Sequence, residues 1–210
     1  PLFCSIDESL IAPGGVSRDG IPSLQDPALV GPFDAGVEYL RLEDRVIGIE
    51  VDGQYVAIPH NILWWHEIVN FNTLGVPLAV TYCPLTGSSM VFDRSGVDGN
   101  TFGVSGLLFL NNLIMFNRTA DGTTESLFPQ MMRGARCGPL DGQTLTDVSV
   151  GRDHRQREPG PGVRAGVLGE QGEGSVVHVA GHGHDQALEA GGERRAPRPR
   201  IRGNSRGGGG

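Results

Sequence analysis

The side chains best suited to chemistry fall in two short stretches. In the first, His66-Glu67 is followed by Asn70. An imidazole can ligate a metal or take up a proton near neutral pH, and a neighbouring carboxyl can complete or orient such a set. In the second, Cys83 opens the run Cys83-Pro84-Leu85-Thr86-Gly87-Ser88. A thiol becomes a nucleophile or metal ligand when its pKa is lowered, and the hydroxyls of Thr86 and Ser88 can hydrogen-bond a thiolate or a bound anion. Position 86 is Thr, so the run is not a Cys-x-x-Cys dithiol. Each stretch also has a plainer reading: an imidazole bonded to a backbone carbonyl, and a buried cysteine that only fills space. Cys4 and Cys137 lie in loop-like sequence, and three cysteines are too few for a disulfide framework.

Other patterns carry less. Gly103-Val104-Ser105-Gly106 lacks the spacing of a nucleophile elbow, and no phosphate- or dinucleotide-binding glycine pattern opens a helix. Asn117-Arg118-Thr119 matches a glycosylation sequon, a pattern that recurs by chance. His178, His182 and His184 with Asp185 imitate a metal cluster, but the glycines around them supply no supporting shell.

The elements that must position these residues read as mainly β (α+β), an antiparallel β barrel or sandwich with one short inserted helix. Val46–Val51 and 54–58 alternate in character across Asp52-Gly53, a preferred two-residue turn, and predict a hairpin. After Pro59, Asn61 is placed to cap a helix over 62–70, with Ile62, Trp65 and Val69 on one face and Asn70 one turn beyond His66. Leu78–Tyr82 reads as a buried strand running into the Cys83 turn, and Ser88–Asp93 as the next strand. Strands follow over 101–104 and 107–116, joined through Ser105-Gly106, and a last one over 143–150. The stretch 125–132 fits neither state clearly.

Length and composition bound the rest. The chain has 210 residues, 38% of them hydrophobic and 6% aromatic, with a net charge of -7. That suits one globular domain and excludes collagen, coiled coil and a disulfide-rich miniprotein. No apolar run is long enough to span a bilayer as a helix. The chain begins at Pro1 without an initiator Met or signal peptide, which predicts a natural amino terminus further upstream. The averages conceal a seam near Val150: every aromatic residue, Cys and Met precedes it. All 17 basic residues are Arg, which points to a GC-rich genome, and 10 of them lie beyond the seam. The organisation expected is a loop-rich wrap over 1–40, a β domain over 41–150 and a disordered Gly/Arg-rich tail over 151–210. That composition cannot offset its chain entropy by apolar burial, and it matches an out-of-frame translation of GC-rich DNA. The tail's arginines lack interleaved aromatics and the remainder is acidic, so nucleic acid is not an expected partner.

Several stretches follow one another in a specific order and spacing. They are Arg18-Asp19-Gly20-Ile21-Pro22, Asp44-Arg45-Val46-Ile47-Gly48, the run from Ile62 to Asn70, and Val80-Thr81-Tyr82-Cys83-Pro84-Leu85-Thr86-Gly87. The series continues with Thr101-Phe102-Gly103-Val104-Ser105-Gly106-Leu107, Asn111-Asn112-Leu113-Ile114-Met115 and Gly138-Pro139-Leu140. Together they resemble one family, the bacterial and archaeal proteins grouped as domain of unknown function 3179; the resemblance covers about 16–150 and brings no established reaction with it. Many members carry a second Cys at position 86, so it implies that any shared function needs Cys83 rather than a disulfide pair. Secretory or lipoprotein signals are common among them, which implies an extracytoplasmic site. Members usually continue into a Thr-Thr-Trp segment that is missing here after about Val150.

Three readings of function follow. The first is an extracytoplasmic metal- or small-ligand-binding domain, in which His66, Glu67 and Cys83 would hold zinc or copper and Thr86, Ser88 and Asn70 would help bind. The second is an enzyme with Cys83 as nucleophile and His66 as base. The third is a structural module without chemistry of its own.

Overall fold

A computed structural model describes residues 3–41, 43–51, 54–72, 74–148, 164–168 and 177–178. Three short strands belong to the amino-terminal segment: β1 (Ile11–Pro13), β2 (Leu24–Gln25) and β3 (Leu29–Val30). Then come β4 (Val46–Val51), β5 (Gln54–Pro59), the helix α1 (His60–His66), β6 (Ile68–Phe71), β7 (Leu78–Cys83) and β8 (Ser88–Asp93). β9 (Phe102–Phe109), β10 (Asn112–Asn117), β11 (Leu127–Pro129) and β12 (Thr146–Asp147) complete the body, followed by β13 (Arg164–Leu168) and β14 (Val177–His178).

The strands form three open sheets, ordered β1-β9-β10-β11, β12-β8-β7-β6-β2 and β14-β13-β5-β4, with β3 also paired to β13. Among the described residues the fold is therefore mainly β with one α-helix, a layered sandwich rather than a closed barrel. Most pairings are antiparallel, but β2 runs parallel to β6 and β13 parallel to β5. The amino-terminal segment sends one short strand to each sheet, to β9, β6 and β13.

β7 is the spine, and all six of its residues are buried. Leu78, Val80 and Tyr82 enter one core with Ile47, Ile49, Val56, Ile58 and Leu63 from the β4–β5 hairpin and α1. Ala79 and Cys83 enter a second core with Phe102, Val104, Leu113, Met115 and Phe128 from β9 to β11. A strand buried on both faces must be apolar throughout, which accounts for the continuous Leu-Ala-Val-Thr-Tyr-Cys run. Arg94, at the end of β8, is fully buried. Its Nε donates to Leu78 O at 3.1 Å, and Nη2 donates to Phe71 O at 3.0 Å and Asn72 Oδ1 at 2.6 Å. Nη1 donates to Gly99 O. One guanidinium thereby satisfies the ends of β6 and β7 together.

The hairpin pairs Val46 with Pro59 through Val51 with Gln54, leaving a two-residue connection. The turn residues Asp52-Gly53 themselves lie outside the described residues. The helix departs from expectation at both ends. It starts at His60, and Asn61 gives no cap; its Nδ2 donates instead to Asp44 Oδ2 at 2.9 Å. It stops at His66, because Glu67 takes φ 56° while its N–H still closes the last turn on Leu63 O at 2.8 Å. Ile68 and Val69 then pair with β7, since β-branched residues gain more from a buried ladder than from another helical turn. Trp65 is 72% exposed rather than inward with Ile62 and Val69.

The expected break at Ser105-Gly106 does not occur, and β9 runs through it. The break falls at Leu110-Asn111, with φ of 49° and 64°, in a two-residue hairpin turn lacking the usual glycine. The stretch 125–132 resolves into β11 and a single 3-10 turn, Gln130–Met132, and the last strand of the body shrinks to Thr146–Asp147. Within 151–210 only β13 and β14 are described. The remaining positions, on which the expectations of disorder and of a His178, His182, His184 cluster mainly fall, lie outside the described residues.

Candidate functional site

The antiparallel pairing of β6 with β7 sets Ile68 opposite Thr81, and one step further the Tyr82 N–H donates to Glu67 O at 2.7 Å. The helix end bearing His66 and Glu67 is thus stitched to the strand end bearing Cys83. Their side chains do not converge as a metal set: among the described residues no group of three or more His, Cys, Asp and Glu is placed to hold an ion. His66 Nδ1 donates to Pro22 O at 2.8 Å, which fixes the ring and leaves Nε2 for another partner. Burial pushes the Glu67 carboxyl up to about 7, so it exchanges a proton near neutrality. A non-glycine residue at φ 56° is strained, a condition that concentrates at functional positions.

Asn70 sits apart from His66, on β6, fully buried. Its Oδ1 accepts from Phe102 N at 2.8 Å and its Nδ2 donates to Phe102 O at 2.9 Å. The carboxamide thereby acts as a one-residue strand neighbour that joins the middle sheet to β9. Both of its polar atoms are occupied in that joint.

Thr86 and Ser88 do come together, with three residues from elsewhere in the chain. Thr86 Oγ1 and Ser88 Oγ are 2.8 Å apart, and Ser88 Oγ donates to Gln130 Oε1 at 2.8 Å. Asn112 Nδ2 lies within hydrogen-bonding distance of Thr86 Oγ1 (2.8 Å), Ser88 Oγ (2.9 Å) and Gln130 Oε1 (3.0 Å). Gln130 Nε2 donates to Thr81 Oγ1 at 2.9 Å, and Thr81 Oγ1 donates to Met90 O at 2.9 Å. Cys83 stands directly opposite Ser88 in the β7–β8 ladder, so the two side chains share a face about 5 Å apart at Cβ. Cys83 is a free thiol, 1% exposed.

The cluster has one open bond. Asn112 is 6% exposed, and its Oδ1 is buried with no hydrogen-bond partner. Exchanging the two amide atoms does not close the set, because Oδ1 would then face the Gln130 oxygen and Nδ2 would take the empty position. None of Thr81, Thr86, Ser88, Asn112 and Gln130 is ionisable. Asn112 and Gln130 were invisible as site residues in the sequence. Asn112 lay in one of the family-like stretches without a chemical reason to select it, and Gln130 lay in the one stretch that fitted no element.

Cys4 and Cys137, given no role from sequence, form a disulfide across 133 residues. The sequon Asn117 is buried with its Oδ1 accepting from Ser126 N at 2.7 Å, which closes it to a glycosyltransferase. Among the described residues no helix is long and apolar enough to cross a membrane.

Fold and site together define a class: a three-layer, mainly β protein with an uncharged polar cluster at the end of its central strand. The model of the family described as protein of unknown function (DUF3179) matches residues 18–157, and the chain belongs to that family. No curated protein and no solved structure matches it.

Proposed function

We propose that this chain is a small-ligand-binding β domain acting outside the cytoplasm, with its site at the carboxyl end of β7 around Cys83, Thr86 and Ser88. The observation that carries the reading is the buried, unpartnered Oδ1 of Asn112 within an otherwise bonded cluster. Buried polar atoms are almost always satisfied, so an unmet acceptor beside this turn sets the cluster apart from ordinary packing; among the described residues Asn117 Nδ2 is the other such atom. His66 and Glu67 stand at the adjoining helix end, one with a fixed ring and the other close to half-protonated at neutral pH. The Cys4–Cys137 bond supports an oxidising compartment, where such bonds persist.

Zinc or copper held by His66, Glu67 and Cys83 is the less favoured form of this reading, because those side chains are not grouped among the described residues. An enzyme using Cys83 as nucleophile and His66 as base has a buried thiol against it. The test is metal content together with a ligand-observed screen of small polar compounds, on the parent and on Ser88→Ala, Cys83→Ala and His66→Ala. Metal well below one equivalent and compound binding that is lost in Ser88→Ala support the proposal. One equivalent of metal, lost in both Cys83→Ala and His66→Ala, would reinstate the metal site. A folded protein that binds neither would leave the structural module standing.

A further inference from the structure

The amino-terminal segment lies along the molecule without entering it. None of residues 3–14 is buried, and none belongs to either hydrophobic core. Phe3 and Leu10 face solvent. What joins this strap to the body is mostly backbone. Gly138 N donates to Phe3 O at 2.8 Å, Ser5 N to Arg136 O at 2.9 Å and Gly14 N to Gly106 O at 2.7 Å. β1 lies along the outer edge of β9, where Pro13 has no N–H to give. Ser5 Oγ donates to Asp141 Oδ1 at 2.7 Å, in an exposed setting. The covalent link is placed differently: Cys4 is half-buried on the strap, whereas its partner Cys137 is buried in the body. Past the strap the chain is held again. Gly15, at φ 86° with nothing within 4 Å of where a Cβ would stand, makes a pivot. After it Asp19 N donates to Val104 O at 2.9 Å, Asp19 pairs with Arg118, and Arg18 pairs with Glu125 while lying 3.9 Å over the Phe116 ring.

We infer that the Cys4–Cys137 bond is a redox latch: a dithiol reductant opens it, and residues 3–14 then swing away about Gly15 and leave the edge of β9 unpaired. Backbone bonds near water contribute little net stability, and ordering a segment that buries no side chain costs chain entropy. The strap therefore stays docked because the bond holds it. A thiolate of the reductant attacks Cys4 Sγ, on the more exposed of the two residues. The Sγ–Sγ bond breaks, Cys137 leaves as a thiolate and takes a proton, and Cys4 is held in a mixed disulfide. The reductant's second thiolate then attacks its own sulfur in that bond and releases Cys4 as a thiol. Two electrons pass from the dithiol to the protein, and the reductant ends as a disulfide. The inference does not rest on the small-ligand reading above.

The experiment is brief dithiothreitol treatment of the full chain under native conditions, followed by iodoacetamide and a short deuterium-exchange pulse read residue by residue. Carbamidomethyl groups are expected on Cys4 and Cys137 but not on Cys83, which is buried in the second core and reports opening of the body. The pulse is expected to label Ser5, Gly14 and Leu108, all protected in the oxidised chain. The Leu108 N–H faces Ala12, because bonded pairs alternate along the ladder between Leu10–Leu110 and Gly14–Gly106. Tyr82 and Phe102, whose amides are bonded inside the body to Glu67 O and Asn70 Oδ1, are expected to stay protected in the same pulse. Cys4→Ser is expected to give the open pattern without reductant, with Cys137 then reached by iodoacetamide. A bond that survives dithiothreitol until urea is added would overturn the inference. So would protection retained at Ser5, Gly14 and Leu108 in the reduced chain or in Cys4→Ser. Label on Cys83 with loss of protection at Tyr82 and Phe102 would also overturn it, making the bond a support of the whole fold rather than a latch.

Discussion

At the scale of single residues, Glu67 has the most measurable consequence. Its folded pKa of about 7 lies above the ordinary glutamate value near ~4.3, and the cause is burial. Between those two values the folded chain holds a proton that the unfolded chain has lost. Stability from this group is therefore complete below about pH 4 and declines as pH rises through about 7. Glu67→Gln removes the titration. The variant is expected to match the parent near pH 4 and to exceed it at pH 8 by about 1–2 kcal/mol, the full linkage being reduced by partial solvent screening. Urea unfolding of both proteins at the two pH values checks this, and equal stability at pH 8 would show the carboxyl to be well solvated. The sequence pointed to His66, Glu67 and Cys83 because their functional groups are intrinsically reactive. It did not point to Asn112 or Gln130, since a carboxamide acquires meaning only from what it is buried against.

At the scale of elements, the boundary between α1 and β6 decides how the site is assembled. A helix continuing to Asn70 would have put that residue one turn from His66. Ending it at Glu67 instead turns Ile68–Phe71 into a strand and moves Asn70 into the joint with β9. Replacing Asn70 by Ala leaves the Phe102 N–H without its partner in a buried setting, while the Phe102 C=O still accepts from Ser23 Oγ and Arg118 Nη1. One buried donor left unsatisfied costs about 1–3 kcal/mol, so Asn70→Ala is expected to destabilise the fold by about that amount. Denaturant unfolding measures it, and a loss under about 0.5 kcal/mol, within the range of ordinary surface changes, would mean that the two sheets are held together by packing alone. The β4–β5 hairpin was readable because its alternation and turn are local. The Leu110-Asn111 turn was not, because a leucine takes its first positive-φ position and no glycine marks it, although Asn111 suits the second.

At the scale of the whole molecule, the amino-terminal segment is tied down by β1, β2 and β3 and by the Cys4–Cys137 bond. A cross-link spanning 133 residues restricts the unfolded chain strongly. Cys4→Ser paired with Cys137→Ser is expected to lower stability by about 2–4 kcal/mol, as is reduction of the parent. Thermal unfolding with and without reductant tests this, and an unchanged midpoint would show that the bond is not formed in the protein as purified.

The sequence by itself determined the class of fold, the β4–β5 hairpin, the buried character of β7 and the family, because periodicity, turn chemistry and motif order are written locally along the chain. Tertiary structure alone decided where the helix ends, which cysteines pair, and that Thr86 and Ser88 meet Asn112 and Gln130. Those outcomes depend on contacts between segments tens of residues apart. Whether Ile68 continues a helix or joins a ladder is set by the strand waiting beside it, and an amide oxygen becomes a site only when the fold surrounds it and leaves it without a donor.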